Sequence, residues 1–176
     1  PPLWSLGFHL CRYCYNSVNR TRYILEGMVN NSIPYDTQWN DIDYMDNHYD
    51  FTYDPVNYAG FPQFVDDVHN KYQMKYVHII DPGIANDSNY APFTEGLQQD
   101  VFIRNSNGGI LWGKVWPGIT AFPDFWDPAT KSWWAEQAIN WKKVINYNGW
   151  WIDMDEPSNF VVGSTTGCPS SQYENP

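Results

Sequence analysis

No uninterrupted apolar run in this chain approaches the roughly 20 residues that a membrane-spanning helix requires, so no span is expected in it. Basic residues are scarce. Ten Lys and Arg stand against 20 Asp and Glu, giving a formal net charge of −10. That balance argues against nucleic acid and anionic membranes as partners and suits an acidic compartment or a secreted setting. Cysteine is both rare and odd in number, with three in 176 residues. Cys11 and Cys14 have C-x-x-C spacing, but no second Cys pair or His pair follows at zinc-like spacing. They read as half-buried thiols near a strand end rather than as metal ligands. Cys168, in a Gly-Cys-Pro loop, reads as half of a disulfide. A starting Met and a signal peptide are also missing; the sequence opens on Pro1 and reads as a piece of a longer chain. There is no internal repeat and no low-complexity segment.

What is abundant is aromatic. Phe, Trp and Tyr make up 18% of the residues, with 10 Trp and 13 Tyr. A core built on rings accounts for most of them. A sugar site would account for the rest, because the apolar C–H faces of pyranose rings stack on aromatic faces. Three N-x-S/T sequons begin at Asn19, Asn30 and Asn86 and mark possible N-glycans. Together with a disulfide-like Cys168 they point to the secretory pathway.

Four strand-like segments alternate with helical ones. The first is Leu3 to Leu10, followed by a helical pattern from about Asn19 with Ile24, Leu25, Met28 and Val29 on one face. The second runs from Asp36 to Tyr44. Pro62 then opens a helix with Phe61, Phe64/Val65, Val68 and Tyr72 on one face. The third strand is Met74 to Ile80. Asp127 as cap and Pro128 at the first position start another helix, with Trp134, Ala138, Trp141 and Ile145 repeating down it. Gly149 to Met154 is the fourth strand. Crossovers of this length imply parallel neighbours. The predicted fold is α/β, the N-terminal half of a (β/α)8 TIM barrel, with a long insertion after the third strand (82–124) in which 108–116 reads as a short hairpin arm. Residues 1–176 then form a partial catalytic barrel, incomplete at the C-terminal end.

Acid groups gather at the predicted strand ends: Asp41 and Asp43 at the second, Asp81 at the third, and Asp153, Asp155 and Glu156 at the fourth. Asp is common in loops and caps, and that reading suits Asp43, Asp46 and Asp50. At three of four strand ends a functional carboxylate cluster is the better account. Burying unpaired carboxylates behind Trp150-Trp151-Ile152 is costly unless the site uses their charge. The carboxyl ends of barrel strands are where active sites sit.

The stretch Trp151-Ile152-Asp153-Met154-Asp155-Glu156 resembles the nucleophile signature of glycoside hydrolase family 31, the retaining α-glucosidases, usually written W-x-D-M-N-E. The family usually has Asn where this chain has Asp155, which adds a negative charge beside the nucleophile. Trp4 to Arg12 is similar to the family's opening barrel strand and Asp36 to Asp46 to its second-strand motif. Ile79-Ile80-Asp81-Pro82 and Gly113 to Gly118 match further family segments. The strings around Trp39-Asn40-Asp41, Trp116 to Phe125 and Glu156 to Phe160, with Gly167-Cys168-Pro169 and Glu174-Asn175-Pro176, resemble the lysosomal acid α-glucosidase branch. Ile152 separates the chain from the glucosidase II branch, and the intestinal branch shares most of the strings. Cys14 stands where Gly is common.

The resemblance implies a retaining α-glucosidase acting on α-1,4-glucans such as maltose or glycogen. It makes Asp153 the nucleophile, with Glu156 in the same catalytic signature. It makes Asp41 a ligand for sugar hydroxyls, and Trp39, Ile79, Asp81, Trp116, Trp151 and Met154 lining of the sugar pocket. It places the general acid/base Asp beyond Pro176, so the segment alone is expected to be unstable and inactive. No cofactor and no metal is expected, because carboxylates suffice for this chemistry. The alternatives are an α-glucan lyase or transglycosylase of the same fold, suggested by Asp155, and a catalytically dead carbohydrate-binding homologue.

Overall fold

The structure is a computed structural model that describes residues 1–167. Cys168 and the Glu174-Asn175-Pro176 string lie outside the described residues. The chain forms two compact units, one of residues 1–81 with 138–153, the other of residues 82–137 with the segment from Met154 onward.

The first unit is built on a four-stranded sheet in the order β1 (His9–Leu10), β2 (Thr37–Asn40), β3 (Lys75–Ile80), β7 (Gly149–Ile152). Every pairing is parallel. Helix α1 (Val18–Asn30) joins β1 to β2, and α2 (Phe61–Asn70) joins β2 to β3. Helix α4 (Pro128–Val144), which contributes residues to both units, leads into β7. Parallel neighbours with helical crossovers are the half-barrel pattern expected from the sequence. Among the described residues, no helix is long and apolar enough to cross a membrane.

Several predicted elements are shorter or rotated. Leu3 to Leu6 is a 3-10 turn, not strand: both the backbone N–H and the hydroxyl of Ser5 donate to the Pro2 carbonyl, at 3.0 and 2.7 Å. Those local bonds replace the ladder. Strand pairing begins only at His9, where Gly7 lets the chain pass Asp36. A Cβ on Gly7 would stand 2.3 Å from Asp36 Oδ2, the oxygen that accepts the Phe8 N–H at 2.8 Å. β2 stops at Asn40 rather than Tyr44, because the Asp41 side chain accepts the Ile42 N–H and opens a 3-10 turn over Ile42–Tyr44. β7 stops at Ile152, and Met154 has a φ of 61°, so strand alternation ends before Met154.

Helix faces shift as well. Ser17 caps α1 by accepting the Arg20 N–H, and the buried positions are Val18, Thr21 and Leu25, while Val29 is exposed. Thr21 is buried because its hydroxyl accepts from Asn40, tying the helix to β2. In α4 the Asp127 cap is present, accepting the Ala129 N–H at 2.7 Å. Its buried stripe runs through Thr130, Trp133, Gln137 and Trp141, with Trp133 in place of Trp134, and Ile145 is buried just past its end. Thr130 and Gln137 entered the stripe through hydrogen bonds to the Val101 carbonyl and to Glu95. Apolar periodicity cannot register polar residues buried in this way. In α2, Phe61, Phe64, Val65 and Val68 are buried as expected, and Tyr72 falls just beyond the helix.

One sheet face packs on these helices around His78. The His78 ring meets Tyr147 edge-on at 4.7 Å and stacks on Tyr76 at 6.2 Å, with Tyr44, Trp141 and Trp150 around it. The Trp141 indole N–H can only donate, and it lies 2.9 Å from His78 Nε2. Nε2 is therefore the bare nitrogen and the imidazole is neutral.

In the second unit, β4 (Ile84–Ala85), β6 (Gly118–Ala121) and β5 (Trp112–Val115) form an antiparallel sheet in that order. The hairpin thus spans 112–121 and turns at Trp116-Pro117, several residues later than the predicted arm. Gly113 is required there, since a Cβ would meet the Phe122 ring at 2.4 Å. Helix α3 (Ala91–Gln98) packs Phe93 on Phe102, which meets Trp133 edge-on.

Burial, with a smaller effect of Lys142, lowers the His78 pKa to about 3 from 6.5. A base depressed in the folded state is protonated first in the unfolded chain. Its contribution is therefore present above pH 6.5 and lost as pH falls towards 3. Replacing His78 with Gln is expected to remove about one proton, ~1.4 kcal/mol per pH unit, from the pH slope of stability in that window. Denaturant titrations at stepped pH measure it.

Candidate active site

Register decides which side chains meet. Trp39 pairs with Val77 and Val77 with Gly149, while Ile79 pairs with Trp151. Paired residues share a face and alternate residues return to it. His9, Trp39, Val77, Ile79, Gly149 and Trp151 therefore lie on the face opposite His78 and its helices. The rings confirm the placement. Trp39 lies 5.9 Å from Trp151 and 5.7 Å from His9, and Trp4 stacks on His9 at 6.0 Å. Trp4, His9, Trp39 and Trp151 make an aromatic wall across β1, β2 and β7.

Asp41, Asp81 and Asp153 each follow the last residue of β2, β3 and β7. Because Ile80 pairs with Ile152, Asp81 and Asp153 leave the sheet at one level. The predicted gathering of carboxylates at adjacent strand ends is thus present in the first unit. Their environments differ. Asp81 is 3% exposed and its backbone N–H donates to Asp50 Oδ1 at 2.9 Å. Asp41 is half-buried. Burial raises its pKa above the ordinary carboxylate value, the Ile42 N–H pulls it down, and the charges of Asp43 and Asp153 raise it again. The Asp41 and Asp153 charges therefore act on each other. Asp43 has a structural task, accepting the Asn16 N–H and the Tyr58 hydroxyl, both at 2.6 Å. Asp50 has one too, through Asp81.

Cys11 and Cys14 are exposed free thiols rather than half-buried ones, because the chain has already left β1 at Leu10. Though Cys11 is exposed as a residue, partial burial of its thiol, then Asp41 and Asp43, push its pKa up to about 12. That thiol is a poor nucleophile and a poor metal ligand.

Trp116, Met154, Asp155 and Glu156 belong to the second unit. Trp116 meets Phe160 edge-on at 5.0 Å. Asp155 and Glu156 are exposed and line a cavity of about 190 Å³ with Phe122, Phe125 and Trp126. Asn159 and Phe160 bind the segment to β5: Asn159 Oδ1 accepts the Lys114 N–H, and the Phe160 N–H donates to the Lys114 carbonyl. Sequence reasoning did not single out His9, which joins Trp4 and Trp39 in the aromatic wall. The signal was available, since His9 is two residues beyond Gly7 in the first strand motif and shares its parity with the pocket-facing positions.

Removing the Asp153 charge by Asp153→Asn is expected to lower the Asp41 pKa towards the ordinary aspartate value. A carboxyl-carbon NMR titration of Asp41 in both proteins reads this directly, and an unchanged titration would deny the coupling.

The glycosyl hydrolases family 31 TIM-barrel domain matches residues 1–176. The chain is 46% identical over 179 residues to the lysosomal alpha-glucosidase of Mus musculus, aligning all of this chain with 19% of that protein. It is 43% identical over 182 residues to the intestinal sucrase-isomaltase of Homo sapiens, again over all of this chain and over 10% of that one. Among solved structures, the DNJ-bound glucosidase II alpha subunit superposes with a TM-score of 0.84 at 33% identity, covering 89% of this chain and 17% of that one. The family 31 alpha-glucosidase from Bacteroides thetaiotaomicron gives 0.79 at 32% identity, covering 93% and 28%. With its half-barrel of parallel strands, its carboxylates at their ends and a family match along its whole length, the chain belongs to glycosyl hydrolase family 31, within the TIM-barrel domain.

Proposed function

We propose that the protein to which this chain belongs is a retaining α-glucosidase that releases glucose from the non-reducing ends of α-1,4-glucans such as maltose or glycogen. The observation that supports this best is the pairing of Asp41 and Asp153 at the ends of β2 and β7, above the Trp39–Trp151 wall. The chain spans only 19% of the lysosomal enzymes it matches. The activity is therefore that of a longer protein, in which this segment is part of the catalytic barrel.

The chemistry follows from charge. Cleaving a glycosidic bond develops positive charge on the anomeric carbon and ring oxygen. Ionised Asp153 attacks that carbon as the bond to the leaving oxygen breaks, forming a covalent glycosyl ester. A second carboxyl, roughly 5–5.5 Å away in retaining enzymes, protonates the leaving oxygen and later deprotonates the water that opens the ester. The family motif places that acid on a later strand. Asp41 accepts hydrogen bonds from sugar hydroxyls, and Asp81 and Ile79 help close the floor. The roles of Trp116, Met154 and Glu156 rest on the motif. Lysosomal or secreted placement is supported by the net charge of −10 and by exposed Asn19, Asn30 and Asn86 as N-glycan acceptors.

In the full-length protein, Asp153→Asn is expected to lower kcat by roughly 10⁴- to 10⁶-fold, as loss of a nucleophile does elsewhere, while maltose still binds. Turnover assays with product chromatography test it. Retained turnover would place the nucleophile elsewhere, and an unsaturated anhydro-sugar from the wild type would mean lyase chemistry instead of hydrolysis.

A further inference from the structure

The strongest unused constellation is the path that ends at Trp39. The Trp39 indole N–H lies 2.9 Å from His9 Nδ1. An indole N–H only donates, so Nδ1 is the bare nitrogen and accepts. The proton then resides on Nε2, which faces the Trp4 carbonyl at 3.2 Å and the Thr37 hydroxyl at 3.4 Å. Both nitrogens of His9 are thus engaged, in one tautomer. Trp4 adds stacking at 6.0 Å, and its own ring sits over Gly149, where a Cβ would stand 3.7 Å from Trp4 Cη2. The path therefore crosses from β1 to β2 and to β7, two residues before Trp151 and four before Asp153.

We propose that His9 is a positioning residue for the sugar site: through Nδ1 it sets the plane of the Trp39 indole, and Trp39 in turn holds Trp151 against the bound glucose. The inference rests on the α-glucosidase reading for what the wall binds. A Trp ring on a strand has more than one rotamer open to it. A glucose face is recognised only when the ring lies flat against it, so an indole fixed before the sugar arrives avoids an ordering cost on binding. One hydrogen bond to a side chain on another strand supplies that fixation.

Two variants separate positioning from mere packing. His9→Leu removes both polar contacts, while His9→Asn keeps an oxygen where Nδ1 stands. In the full-length protein, His9→Leu is expected to raise KM for maltose and the inhibition constant of an iminosugar by about tenfold, the size of one lost hydrogen bond. The change in kcat should be smaller than that in KM, and His9→Asn should restore most of the loss. The Trp39 indole resonance in ¹H–¹⁵N spectra should shift in His9→Leu and return in His9→Asn. Unchanged KM and inhibition in His9→Leu, or equal losses in both variants with kcat and melting temperature falling together, would overturn the proposal. A wild-type protein without α-glucoside turnover would sink the activity reading instead. The positioning of Trp39 is then still decided by the indole resonance, where no shift in His9→Leu denies it.

Discussion

Everything in the site depends on the parallel register of four short strands. Backbone ladders in β1, β2, β3 and β7 fix side-chain parity, and parity assigns the two faces different work. Tyr76, His78 and Trp150 go to the face covered by α2 and the end of α4. Trp39, Ile79 and Trp151 go to the other, where β2, β3 and β7 end in Asp41, Asp81 and Asp153. A slip of one residue in any strand would turn the aromatics of the wall into the helix layer and would move a carboxylate to the other face.

The two faces solve the polar-burial problem in different ways. Behind the sheet, buried polar side chains are linked in neutral pairs: Trp141 donates to His78, Tyr76 donates to Asn40, and Asn40 donates to Thr21. On the other face, Asp41 is half-buried, and burial first, then the charges of Asp43 and Asp153, raise its pKa above the ordinary carboxylate value. The sheet thus separates a region that excludes charge from one that concentrates it. Under the proposed activity, the second is the side on which an oxocarbenium-like state would be stabilised.

The large features were readable because they rest on local rules. The helix start at Asp127, the Pro62 opening of α2, the β3 run and the acid-rich end of β7 all follow from capping chemistry and apolar periodicity. Strand ends were overextended wherever a side chain offered the backbone a local partner. Ser5 closes a turn on Pro2, and Asp41 takes the Ile42 N–H. Faces were misassigned where polar residues are buried through specific bonds, as with Thr130 and Gln137 in α4. Periodicity counts apolar residues and is blind to those.

The sequence by itself determined the family motifs, the order of strands and helices in the first unit and the identity of the acids, because these are set by residue type and spacing along the chain; α3 and β4 of the second unit were not read from it. Only the tertiary structure decided that Asp43 and Asp50 serve the backbone and a tyrosine, that Asp41 and Asp153 share one electrostatic neighbourhood, and that His9 accepts from Trp39. Those assignments depend on which atoms meet from positions 15 or more residues apart, and no local pattern encodes a distance of that kind.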